Sequence, residues 1–212
     1  MHKYQYILLD WDGNLAKTLD IWLEVCREIL EKRGHYLSDE EVAAGFGAFA
    51  AQLKALGVDD TETAFSELDE LAAKRLPNVE LYPDALEVLE LLHNQGKSLA
   101  LITTSRHKTI KHLLEKYNMA KFFSVIISGD DVTHHKPHPE PLEKALKALG
   151  GSKHKAVMIG DSDKDLGAAA NAKIDSILFY PPEHTKFYDL EKLKKLKPTY
   201  IVDDFRQVLN IV

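Results

Sequence analysis

Residues 4–15 read YQYILLDWDGNL, and the fold follows from how this stretch is read. Tyr6 to Leu9 is a short apolar run, the pattern of a buried strand. Asp10 and Asp12 follow at a spacing of two, which on an extended chain points both carboxylates the same way. Gly13 and Asn14 then supply a turn. Two like charges held together at a strand end repel, so a cation or a shared proton is expected beside them. A strand that merely stops at a polar turn reads the same way, so the rest of the chain has to decide.

Working outward, Thr18 to Gly34 places Leu19, Trp22, Leu23, Cys26, Ile29 and Leu30 at helical spacing, with Gly34 as the stop. Ser38 with Glu41 opens a second helix as a capping box, interrupted by Gly45 and Gly47 around Phe46. Ala48 to Leu56 reads as a third helix and Thr61 to Leu76 as a fourth, stopped by Pro77. From Pro83 the pattern alternates. Helices are expected at Ala85–Gln95, Lys108–Tyr117, Glu140–Leu149 and Leu166–Ala172, with a terminal helix from Phe205. Strands are expected at Leu99–Thr103, Val125–Ile127, Ala156–Ile159, Ser176–Phe179 and Tyr200–Val202. Apolar strands alternating with helices imply an α/β fold, a Rossmann-like parallel sheet covered on both faces. Residues 1–15 and 82–212 would form this core. Residues 16–81 would be a small all-α unit inserted after the first strand.

In such sheets ligands bind beyond the carboxyl ends of the strands. Those ends carry Asp10 with Asp12, Thr103 with Thr104, the approach to Lys136, and Asp161 with Asp165 in the run GDSDKD. The Thr103 hydroxyl and the Thr104 backbone N–H could donate to an anion, and the Lys136 ammonium could neutralise phosphate oxygens. Asp161 and Asp165 are four apart and share a face if a helix has begun. Further carboxylates beside Asp10 call for a divalent cation, and hard oxygen ligands select magnesium. His134, His135 and His138 fit no metal signature and read as solvated loop residues. Lys192 to Lys197 (KLKKLK) reads as a solvated helical face.

The 212 residues are 45% hydrophobic, enough for a sizeable core. A formal net charge of −6 argues against nucleic-acid binding. Cys26 is the only cysteine, which excludes an intramolecular disulfide and a cysteine-rich metal site. The first residues do not read as a signal peptide, and no apolar run is long enough to cross a membrane, so a cytoplasmic setting is expected. Oligomeric state has no signal in the sequence.

Taken in order, DWDGN at Asp10, Thr103, Lys136 with Pro137, and GDSDKD at Asp161 resemble the four motifs of the haloacid dehalogenase-like hydrolase superfamily. The helical insertion resembles the cap of its subfamily containing phosphoglycolate phosphatase and beta-phosphoglucomutase. The resemblance covers essentially the whole chain. It implies a magnesium-dependent phosphatase acting on a small phosphorylated metabolite. Asp10 would be the nucleophile that forms an aspartyl-phosphate, and Asp12 the general acid and then base. Thr103, Thr104 and Lys136 would hold the phosphoryl group. Magnesium would be held by the Asp10 side chain, the Asp12 backbone carbonyl and Asp161, with Asp165 behind them. Asn14 and Lys17 depart from the usual pattern, which bears on the hinge. The loop Ala44–Ala51 lacks charge, and at least one of Phe46 and Phe49 is expected in the core of the insertion. The alternatives are a sugar-phosphate mutase, which the bland loop disfavours, and a non-catalytic interaction module on the same fold. A dehalogenase would not need Asp12 and Asp161 together. A phosphonate-cleaving enzyme would need a Schiff-base lysine, for which Lys54 qualifies only by location.

Overall fold

The structure is a computed structural model and describes residues 3–46 and 48–212. Among these residues six strands form one parallel sheet. They are β1 (Tyr6–Leu9), β2 (Ser98–Ile102), β3 (Phe123–Ile127), β4 (Ala156–Gly160), β5 (Asp175–Phe179) and β6 (Tyr200–Val202), in spatial order β3-β2-β1-β4-β5-β6. Four helices follow β1: α1 (Leu19–Glu31), α2 (Asp39–Ala43), α3 (Phe49–Ala55) and α4 (Thr61–Arg75). The remainder are α5 (Ala85–Asn94), α6 (His107–Lys116), α7 (Glu140–Ala148), α8 (Asp163–Ala172) and α9 (Leu190–Lys194). No described helix is long and apolar enough to cross a membrane.

The period-two geometry of β1 shows directly in its packing. Ile7 and Leu9 enter one hydrophobic cluster with α5 and α6 residues such as Leu89 and Leu113, while Leu8 enters the opposite cluster with Leu142, Ala145 and Ala169. All three are fully buried, and each such side chain contributes about 1.5–3 kcal/mol relative to exposure. An uninterrupted apolar run is therefore what a central parallel strand requires.

The helices after β1 share a cluster of their own. Leu19, Leu23, Cys26, Ile29 and Leu30 of α1 pack with Val42, Phe49, Leu53 and Ala64. Phe187, from beyond β5, joins this cluster. Ser38 caps α2 as read from the sequence: its hydroxyl accepts from Glu41 N, and the Glu41 carboxylate accepts from Ser38 N at 2.8 Å. Phe49 is buried, with its ring edge-on to Phe65. The two crossings between this unit and the sheet are tied together. Lys17 N donates to Glu80 O at 2.8 Å, Tyr82 N donates to Leu15 O at 3.0 Å, and Ala16 forms an antiparallel bridge with Leu81. Lys17 itself lies over the Tyr82 ring and 3.8 Å from Glu183.

Two expectations need correcting. The last helix from Phe205 is a 3-10 turn, Phe205–Asn210, started by the Asp204 carboxylate accepting from Arg206 N. Helix α8 starts at Asp163 rather than Leu166, because Ser162 is its N-cap and makes a capping box with Asp165. Asp161 thus precedes the helix, and it does not share a helical face with Asp165.

Candidate active site

The chain passes from β1 to β2 and β3 on one side, then returns to β4 on the other side of β1. The crevice at such a reversal lies beyond the carboxyl ends of the two central strands. Asp10 follows β1 and Asp161 follows β4, and the Asp10 N–H donates to Ile159 O at 3.0 Å. Gly13 has φ +70, and a Cβ there would stand 2.2 Å from Asp161 Oδ2, so glycine lets the turn after β1 lie against that carboxylate. Gly160 plays the same part toward Asp165, whose Cγ would be 2.3 Å from an added Cβ.

Lys136 comes up between these acids. Its Nζ lies 2.9 Å from Asp10 Oδ1 and 2.6 Å from Asp165 Oδ1, and it donates to Ile102 O at 3.2 Å. All of these side chains are buried. Burial works against the ammonium, but Asp10 and Asp165 outweigh it and hold Lys136 above its usual range. Burial also works against the Asp165 charge. Lys136 and the Ser162 donors hold that carboxyl below the usual range, with Ser162 Oγ 2.6 Å away. Asp10 and Asp161 go the other way: burial and the charge of Asp165 hold both well above the carboxylate range, against the pull of Lys136. One lysine does not balance three buried acids.

The ligand oxygens of Asp10, Asp161 and Asp165 lie within 4.8 Å of one another, and Asp161 Oδ2 is buried without a hydrogen-bond partner. An unpartnered buried carboxylate oxygen in an all-oxygen cluster fits a hard divalent cation. The histidine loop holds a second group that its spacing did not reveal. His134, His138 and Glu140 also bring ligand atoms within 4.8 Å. There Glu140 already accepts from Thr133 N, His134 N and the His134 ring, each at 3.0 Å.

Asp12 is set apart from the buried acids. Its Oδ2 accepts from Ser105 Oγ at 3.0 Å and from Thr103 Oγ1 at 3.5 Å, and its Oδ1 accepts from the Trp22 indole N–H at 2.6 Å. The Thr103 hydroxyl is also taken up as the acceptor for Ser105 N at 3.0 Å, and Thr103 is buried. Strand β2 ends at Ile102, one residue before the expected end, so Thr103, Thr104 and Ser105 form the turn itself. Asn14 donates to Asp10 O at 3.0 Å, which gives this departure from the family pattern a local structural use.

A cleft of about 1090 Å³ opens over these residues. Asp10, Asp12, Thr104, Ser105, Lys136 and Asp161 line its floor, and Trp22, Phe46, Phe49 and Phe65 contribute from the inserted helices. The sequence reading gave no role to Trp22, Ser105 or Ser162. Trp22 lies inside an apolar stripe, Ser105 lies beyond the expected strand Leu99–Thr103, and Ser162 and Asp165 sit within a run of metal-type acids.

A family profile described as haloacid dehalogenase-like hydrolase matches residues 7–179. Pyrophosphatase PpaX of Oceanobacillus iheyensis is 30% identical over 221 residues, covering 97% of this chain and 95% of that protein. Phosphoglycolate phosphatase of Salmonella paratyphi A is 37% identical over 130 residues, 61% of this chain and 50% of that one. Among solved structures, a haloacid dehalogenase-like hydrolase from Bacteroides fragilis superposes with a TM-score of 0.85 at 28% identity, covering 97% of this chain and 100% of that one. A Lactobacillus plantarum structure described as a phosphoglycolate phosphatase gives a TM-score of 0.86 at 24% identity over both whole chains, which bears on the fold.

Proposed function

We propose, since this chain belongs to the haloacid dehalogenase-like hydrolase family, that it is a phosphatase acting on a small phosphorylated metabolite through an aspartyl-phosphate on Asp10. The observation that carries the reading is Asp10 buried at the β1/β4 crevice, 2.9 Å from Lys136 and beside Asp161, whose Oδ2 has no hydrogen-bond partner. An Asp10 carboxylate oxygen attacks phosphorus, and the bond to the leaving oxygen breaks. Asp12 gives that oxygen its proton, then takes one from a water that attacks the phosphorus and frees Asp10. Lys136 keeps positive charge beside Asp10 as negative charge gathers on the phosphoryl oxygens. The turn at Thr103 and Thr104 offers a hydroxyl and a backbone N–H to the same group. Asp165 fixes Lys136 from behind through a 2.6 Å contact.

Asp10, the Asp12 carbonyl and Asp161 would hold magnesium, which when bound supplies positive charge against the repulsion between an anionic nucleophile and an anionic substrate. Residues 16–81 act as a cap that keeps bulk water from the site.

The names of the relatives, a pyrophosphatase and a phosphoglycolate phosphatase, set the first substrates to try. Turnover of a panel with pyrophosphate, 2-phosphoglycolate and hexose phosphates should require magnesium. It should fall at least about 10³-fold in Asp10→Asn. Turnover that survives both chelation and this substitution sinks the reading.

A further inference from the structure

We propose that Trp22 is a positioning residue for Asp12, so that the first inserted helix takes part in the chemistry as well as covering it. The inference rests on the phosphatase reading of Asp12. Its ground is the 2.6 Å hydrogen bond from the indole N–H to Asp12 Oδ1, a partly buried contact on the wall of the cleft. Ser105 Oγ holds the other oxygen at 3.0 Å. The carboxylate is thus clamped from two directions, by α1 and by the turn after β2.

Three features make Trp22 suited to orient rather than to react. An indole N–H donates and cannot accept, so it does not compete for the proton that Asp12 moves. The side chain is rigid, with two torsions, so its donor has a fixed direction. The start of α1 is also tied to the same turn. Trp22 N donates to Thr18 O at 2.9 Å, and the buried Thr18 hydroxyl accepts from Gly13 N at 3.2 Å. Movement of α1 away from the strand ends withdraws the indole from Asp12. One orientation of the carboxylate therefore belongs to one placement of the helix.

Trp22→Phe keeps an aromatic side chain on the cleft wall but removes the donor together with the pyrrole half of the indole, and comparing two esters separates the lost donor from the lost bulk. A phosphate ester of an alcohol needs its leaving oxygen protonated, whereas p-nitrophenyl phosphate releases a stable anion unaided. kcat/KM reports the steps up to transfer onto Asp10. In Trp22→Phe it should fall about tenfold or more for glycerol phosphate and less than about threefold for p-nitrophenyl phosphate, because general-acid assistance matters only to the first. Equal losses on both esters, or none on either, overturn the proposal. A second measurement needs no turnover. The chain has two tryptophans, and Trp11→Phe assigns their indole signals in an N–H correlation spectrum. The Trp22 indole proton should move upfield in Asp12→Ala, and a signal that stays in place overturns the proposal. A wild-type protein that hydrolyses neither ester counts against the phosphatase reading, while the indole signal still decides the contact.

Discussion

At Asp161 a carboxylate oxygen is buried beside two other acids, and no described residue donates to it. Such a group costs stability unless a cation meets it. Without divalent cations, Asp161→Asn should therefore be more stable than the wild type, by about 0.5–2 kcal/mol, the size common when a site is relieved of built-in strain. Magnesium should raise the urea midpoint of the wild type and leave that of Asp161→Asn nearly unchanged. A wild type that is the more stable protein in chelator, or that gains nothing from magnesium, contradicts this account of the acids. The residue types were legible in the sequence; their company was not. The Lys136–Asp165 contact spans 29 positions and the Lys136–Ile102 contact 34, and no periodicity links such distant loops. Trp22 shows the converse limit: helical spacing marked it as apolar filling, and only the turn of α1 shows its N–H aimed at Asp12.

Among the elements, the 3-10 turn Pro182–Lys186 after β5 carries a buried histidine that the catalytic reading does not use. His184 is fully buried, its Nε2 is 2.7 Å from the Tyr82 hydroxyl, and its ring meets Phe179, Tyr180 and Tyr188 edge-on. Burial lowers it to about 3 from the ordinary 6.5. Between those values the unfolded chain binds a proton that the folded protein refuses. Stability is therefore lost as pH falls from 6.5 toward about 3, at no more than about 1.4 kcal/mol per pH unit from this group. His184→Leu should flatten the pH dependence of the urea midpoint between pH 6.5 and 4.5, whatever it does to absolute stability. An unchanged slope would show that His184 is not held neutral. Element boundaries are legible where the apolar run of β1 stops at Asp10 and where the Ser38–Glu41 capping box opens α2. They slip where a capping box lies inside a run of acids, as Ser162 with Asp165 does before α8, and where the last segment forms a 3-10 turn in place of a helix.

For the whole molecule, the strand pattern already implied the parallel sheet, because strands buried on both faces leave uninterrupted apolar runs. The spatial order and the reversal beside β1 were not written in that pattern; they depend on which edge each crossover takes. Several ties close the inserted helices over the sheet. Arg106 pairs with Asp69 at 2.9 Å, Lys192 pairs with Glu40 at 2.9 Å, and Phe187 packs in the helices' own cluster. The two ion pairs are exposed and screened by solvent, so they hold the helices weakly, whereas the crossing at Leu15–Lys17 and Glu80–Tyr82 is tied by paired backbone hydrogen bonds. The central claim is that this assembly exists to make Asp10 a nucleophile. The direct test is to mix protein, magnesium and substrate, quench in acid during turnover, reduce with borohydride, and read residue 10 by mass spectrometry. The account predicts conversion of Asp10 to homoserine, dependent on magnesium and substrate. Steady turnover with an unmodified Asp10 in every quenched sample would contradict it.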